Sequence, residues 1–140
     1  MKNEPKVLTQ LIKIVSDELT KYIVESQEGK GKVLLQQRPE VIAAEIGMEG
    51  LIKYGSINAE NIADLLKSYL KNTQHLHHPG YIGHQVAVPN FGAAIADMVH
   101  GFVNNPMAVY EMGPAAATME KVVINTRGEI LNPENRGISG

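Results

Sequence analysis

PKVLTQLIKIVSDELTKYIVES (residues 5–26) is the stretch that decides the fold. Val7, Leu8, Leu11, Ile12, Val15, Leu19, Tyr22 and Ile23 recur at spacings of three and four. Lys6, Lys13, Asp17 and Glu18 fill other positions, which is the period of an amphipathic helix rather than a strand. Pro5 suits a first helical turn, where its missing N–H costs nothing. Gly29-Lys30-Gly31 then ends the helix.

The same reading carries outward along the chain. Arg38-Pro39-Glu40 opens a second helix, with Val41, Ile42 and Ile46 as its apolar stripe and Gly47 as its stop. Gly50 to Ser56 reads as a loop. Asn58 is a plausible N-cap, whereas Asn61 cannot complete the usual capping box, which calls for Glu or Gln. Ile62, Leu65, Leu66, Tyr69 and Leu70 give a helix to about Asn72. From Thr73 to Asn90 the pattern collapses into a polar connector rich in His, Gly and Pro. Connectors of that length are usually functional or disordered. Phe91 to Asn104 is helical again, with Ile95, Met98, Val99, Phe102 and Val103 on one face and Gly92, Ala93, Ala94 and Ala96 as small residues. Met107 to Tyr110 reads as a buried extended link. Pro114 opens a last helix with Met119, Val122, Val123 and Ile124 facing inward, and Gly128 to Gly140 shows no periodicity. The expected class is mainly α, with residues 1–74 as an N-terminal helical arm, 75–90 as a His/Pro/Gly loop and 91–140 as helices and a link.

Composition bounds the chemistry. The chain has 140 residues, 13 basic against 15 acidic side chains, and no cysteine. A net charge of -2 argues against a nucleic-acid grip, which needs a basic face. The absence of cysteine excludes disulfides, thiolate metal sites and cysteine nucleophiles. No apolar run approaches the ~20 residues of a membrane span, and the amphipathic start is not a signal peptide. A soluble, cytoplasmic protein is expected.

His75-Leu76-His77-His78, followed by His84, invites a metal reading because imidazole is a common ligand. Pro79 stiffens the backbone there, no carboxylate lies between His75 and His84, and the helical H-E-x-x-H spacing is missing. A solvated turn is the plainer reading of His75, His77 and His78. His84 and Gln85 form a third possibility, a polar wall that can both donate and accept hydrogen bonds to an amino-acid-like ligand. Asp97 and His100, at i and i+3, read as a helix-surface pair. Glu111 lies in an apolar link, where a buried carboxylate would need a partner. The serines lack any nucleophile-elbow context. Gly137-Ile138-Ser139-Gly140 resembles a phosphate loop only weakly, with no helix after it.

Two strings together resemble one family. His78-Pro79-Gly80-Tyr81-Ile82-Gly83-His84-Gln85, followed by the helix with Ala96-Asp97-Met98, is similar to the His-Pro-aromatic segment of the pyridoxal-phosphate-dependent amino-acid decarboxylases of the glutamate, aromatic and diaminobutyrate group. Asn104 to Ala115, with Met119-Glu120 beyond, resembles the stretch that follows in the same order, closest to the diaminobutyrate branch. The resemblance implies the N-terminal helical arm of a fold-type I enzyme whose large α/β domain is absent here. It implies that His84 and Gln85 line the substrate-side wall, and that Pro79, Tyr81, Met107 and Tyr110 lie at the active-site mouth or dimer interface. Pro114 and Glu120 would serve the packing of the last helix.

The departures from that family are equally specific. Its Schiff-base lysine follows a His, and no lysine here does. Its phosphate-cradling loop, its aspartate on the pyridine nitrogen and its ring-stacking histidine belong to the large domain. The expectation is therefore a piece of a carboxy-lyase with no catalytic residue of its own. It would hold no metal, would not bind pyridoxal phosphate covalently, and would pair as a homodimer or with a complementary large-domain chain. The alternative is a small helical interaction module that never meets a cofactor.

Overall fold

The structure is a computed structural model that describes residues 4–55, 57–83, 86–106 and 108–131. It is mainly helical, and no strand occurs among the described residues. The elements in order are α1 (Pro5–Gln27), α2 (Pro39–Ile46), α3 (Met48–Tyr54), α4 (Ile62–Lys71), α5 (Phe91–Val103), a short 3-10 turn (Tyr110–Met112) and α6 (Pro114–Leu131). The chain divides into two compact units, Met1–Val88 and Pro89–Gly140. No helix among the described residues is long and apolar enough to cross a membrane.

In the first unit, α1 packs along α4. Its less exposed face runs through Val7, Leu11, Ile14, Val15, Glu18, Tyr22, Glu25 and Ser26, a stripe of three- and four-residue steps. Ile62, at the start of α4, is the apolar residue this pairing buries most completely. Glu18 meets Lys67 at 3.6 Å, and Tyr22 meets His75 just past the end of α4. Contacts that advance in the same sense along both segments make the two helices parallel, so their C-terminal ends lie together.

Each helix end in this unit has a local cause. At the end of α1, Gly29 adopts φ +73°. Its N–H bonds to Ser26 O at 3.0 Å, and the Lys30 N–H bonds to Glu25 O at 2.9 Å. This crossed pair is the Schellman arrangement, and it needs the left-handed residue that glycine supplies without strain. Gly47, at φ +74°, ends α2 in the same left-handed region.

Two expectations change here. The segment from Gly50 is not a loop, because α3 runs from Met48 to Tyr54, with the Leu51 N–H bonded to Gly47 O at 3.1 Å. Gly50 sits inside it, since one glycine weakens a helix by only ~1 kcal/mol. Asn61 does complete a capping box: its Oδ1 accepts the Asn58 N–H at 2.9 Å, while Asn58 Oδ1 accepts the N–H groups of Glu60 and Asn61 at 2.9 and 3.2 Å. A carboxamide oxygen one carbon shorter than that of Gln reaches the same donor.

In the second unit, Asn90 caps α5 through a bond from the Ala93 N–H at 3.2 Å, and Asn104 ends it at φ +46°. Every residue of α5 is exposed, and within its unit α5 packs against no other element among the described residues. Gly113 is buried, while the faces of α6 and of Val109-Tyr110 are not. The link is exposed rather than buried: Val109 is extended, Tyr110 opens the 3-10 turn, and Tyr110 keeps 61% of its surface in solvent. Met119, Val122, Val123 and Ile124 are likewise exposed, so the inward face expected for the last helix does not form within this unit. Helix α6 continues through Gly128 to Leu131.

Candidate functional site

The His-rich connector is the most organised irregular segment of the first unit. The His75 N–H donates to Val33 O at 2.8 Å, which ties the connector to the segment after α1. Its Nε2 lies 3.1 Å from Leu70 O. A carbonyl only accepts, so in the neutral ring Nε2 carries the proton and Nδ1 presents a lone pair. The edge of this ring packs on Tyr22, with centroids 5.0 Å apart and planes at 81°, a favourable aromatic geometry.

From His75 the chain folds into consecutive turns. The His78 N–H bonds to His75 O at 3.1 Å, and the Tyr81 N–H bonds to His78 O at 2.9 Å. Pro79 occupies the second position of the latter turn, which its fixed φ favours. The Gly80 N–H donates to His78 Nδ1 at 2.9 Å, so the neutral His78 ring keeps its proton on Nε2. A methyl at Gly80 would sit 3.1 Å from that Nδ1, so glycine is what allows the ring this close. Pro79 also approaches the end of α1, where a methyl at Gly29 would lie 3.4 Å from its Cγ.

The plain reading of these histidines as a solvated turn does not hold. His75, His77 and His78 are all half-buried, and His75 Nδ1 and His78 Nε2 are shielded from solvent. Among the described residues no group of three or more potential ligands is arranged to hold a metal. A metal on His78 would have to displace either the Gly80 bond or the Nε2 proton.

The sequence-derived site residues fare unevenly. Pro79 and Tyr81 lie on the turn just described, Pro79 exposed and Tyr81 half-buried. The Tyr81 ring stands over Gly83, where a methyl would come within 2.9 Å of its Cζ and Oη. Ile82 between them is 97% exposed. His84, Gln85 and Met107 lie outside the described residues. Tyr110 belongs to the second unit, in the exposed 3-10 turn with Glu111, which being exposed needs no buried partner. Asp97 and His100 are both exposed on α5, and no hydrogen bond joins them.

Sequence reasoning missed Tyr22, the α1 residue on which His75 packs, and Ser26, buried one turn beyond it. The signal was present as a serine at i+4 from a tyrosine on the inner stripe of an apolar helix. A cleft of about 400 Å3 opens beside them, lined by Glu18, Tyr22, Ser26, Lys67, Lys71 and His75. A second, of about 410 Å3, lies among α2, α3 and α4 between Glu45 and Asp64.

Glu45 ties α2 to the C-terminal end of α4. It accepts from Asn72 Nδ2 at 3.0 Å and pairs with Lys71 at 3.1 Å, while Gln37 Nε2 bonds to Asn72 Oδ1 at 3.0 Å. The Asn72 amide first, and the Lys71 ammonium next, hold the Glu45 carboxyl below the usual carboxylate range.

Every described lysine is exposed and none follows a histidine, so none sits in the enclosed setting that a Schiff base needs. Comparison with protein-family models, curated proteins and solved structures finds no match to this chain.

Proposed function

We propose that this chain acts as the N-terminal helical part of a pyridoxal-phosphate-dependent amino-acid decarboxylase of the cytoplasm, and that it supplies a clasp and a substrate-side wall rather than the reacting groups. The observation that carries the reading is the ordered pair of strings, His78 to Gln85 and Asn104 to Ala115, on either side of a helix (Phe91–Val103) with no cover in its own unit.

An apolar helix face that its own unit does not bury calls for a surface from elsewhere. On this reading α5 meets a partner, either a second copy or a large-domain chain. His84 and Gln85, which follow the turn at His75–Tyr81 in the chain, belong on this reading to the substrate-side wall. The cofactor, held by the large domain, supplies the electron sink for loss of carbon dioxide. This chain's share is to bind and orient, and it turns nothing over alone.

The test is complementation. The purified chain is mixed with a separately expressed large-domain chain of the glutamate, aromatic and diaminobutyrate group, loaded with pyridoxal phosphate. Release of carbon dioxide from the matching amino acids is then measured. Activity well above that of the large-domain chain alone is the expected result. Stable binding without activity favours the second reading, a helical interaction module, which the uncovered face of α5 also suits. Neither binding nor activity overturns the decarboxylase reading.

A further inference from the structure

Helix α5 (Phe91–Val103) has one wide apolar face. At 3.6 residues per turn, Phe91, Ile95, Met98, Val99 and Phe102 fall on one side, each between 37% and 58% exposed. Asp97 and His100 fall on the opposite side, with Ala93 and Ala96. Phe91, Ile95, Met98 and Phe102 follow one another at steps of four, three and four, which is the spacing of a seam between two helices. Gly92, Ala94 and Gly101 flank that seam and are small enough to let a second backbone come close.

The seam is also symmetric about its own midpoint. Phe91 and Phe102 lie equally far from the point between Ala96 and Asp97, and so do Ile95 and Met98. A second copy turned end for end therefore sets Phe91 against Phe102 and Ile95 against Met98, with no seam position left facing a gap. A two-fold pair brings each group near its axis to its own copy, so a charge on this face would meet a like charge. The face carries none. Antiparallel helices also put the positive N-terminal end of each beside the negative C-terminal end of the other.

The area is sufficient. At roughly 200 Å2 for a whole residue of this size, five half-exposed residues offer on the order of 500 Å2 per chain. The pair then buries about 1,000 Å2, which is what a specific interface needs.

We infer that α5 is a self-association surface, and that two copies of this chain pair antiparallel through it about a two-fold axis between Ala96 and Asp97. Its layers are Phe91 on the partner's Phe102 and Ile95 on the partner's Met98. The inference rests on that part of the proposed function which gives α5 a partner, and it names the partner as a second copy. Its test needs neither cofactor nor a large-domain chain.

The full chain tests it by sedimentation and by thiol cross-linking, which has no background because the chain lacks cysteine. The unaltered chain sediments as a dimer at micromolar concentration. Phe91→Cys and Phe102→Cys, made separately and mixed under mild oxidation, give a disulfide-linked mixed dimer. Each alone cross-links roughly tenfold less, because like positions stand about 16 Å apart along the pair and a disulfide needs Cα atoms within about 7 Å. Ile95→Asp brings two carboxylates near the axis and turns the dimer into a monomer with its helical dichroism kept.

A monomer of the unaltered chain overturns the pairing, as does a dimer that Ile95→Asp leaves intact. Cross-linking of Phe91→Cys with itself, as strong as the mixed product, overturns the antiparallel sense. Should a thiol variant fail to fold, the unaltered chain and Ile95→Asp still decide. A monomer that nonetheless restores activity to a large-domain chain overturns this pairing and leaves the decarboxylase reading standing, whereas the cross-linked mixed dimer without such activity does the reverse.

Discussion

Tyr22 and His75 meet edge to face, 5.0 Å between ring centroids, and this contact fastens the connector after α4 onto α1. It also fixes the sense of the helix pair, since a residue one turn from the end of α1 reaches a residue just beyond the end of α4. Both C-terminal ends then crowd one side of the unit. The lysines there, Lys30, Lys67 and Lys71, oppose the partial negative charge that two helix ends bring together.

Replacing Tyr22 removes that fastening. Tyr22→Ala is expected to cost about 2 kcal/mol, below the full cost of a buried aromatic because the ring is only half-buried. Tyr22→Phe keeps the ring contact and should stay within about 0.5 kcal/mol of the parent. Urea unfolding followed by circular dichroism separates the two.

The Asn58–Asn61 pair predicts a coupled loss. Asn58→Ala and Asn61→Ala should each cost about 1 kcal/mol as lost caps. The double variant should cost less than their sum, because the two bonds belong to one box. Strict additivity in unfolding midpoints would show that the side chains act independently.

Acid stability follows from Glu45. Its carboxyl titrates below the ordinary range, so it contributes stability that is complete above the unfolded value and lost as pH falls through the folded one. The chain should weaken below about pH 4.5, and Glu45→Gln should flatten that limb. Unfolding midpoints across that acid range check the slope, and an unchanged slope in Glu45→Gln would assign the acid limb to other groups.

Gly83→Ala probes the Tyr81 ring. A methyl there falls 2.9 Å from Cζ and Oη, so the ring must move. The tyrosine proton shifts of Tyr81 should change while the far-ultraviolet dichroism stays as it was. Retained ring shifts would mean that the ring does not rest over Gly83.

On α5, Ile95 and Phe102 keep 56% and 58% of their surfaces exposed. Ile95→Ser and Phe102→Ser should each change unfolding stability by no more than about 0.5 kcal/mol. The same variants should weaken association at micromolar concentration, measured by sedimentation. A clean monomer for the unaltered chain would remove α5 as a clasp.

Much of the helical plan was legible because it is written locally. Pro5, Pro39 and Pro114 sit in first turns, Gly29 and Gly47 sit past last ones, and the spacing of Leu11, Val15 and Tyr22 sets a stripe. The misreadings share a cause, since each judged burial or punctuation from residue type alone. Gly50 looked like a break and lies within α3. Met119 and Val122 looked like core and are exposed, since apolar character says a face is to be covered but not by what.

The sequence by itself determined the class of structure, because helical periodicity, caps and stops act within a few residues of one another. It could not determine which polar atoms would be shielded. Ser26 lies far along the chain from His75, and only the parallel packing of α1 on α4 places both in the wall of one cleft, where the need for hydrogen-bond partners becomes a property of the fold.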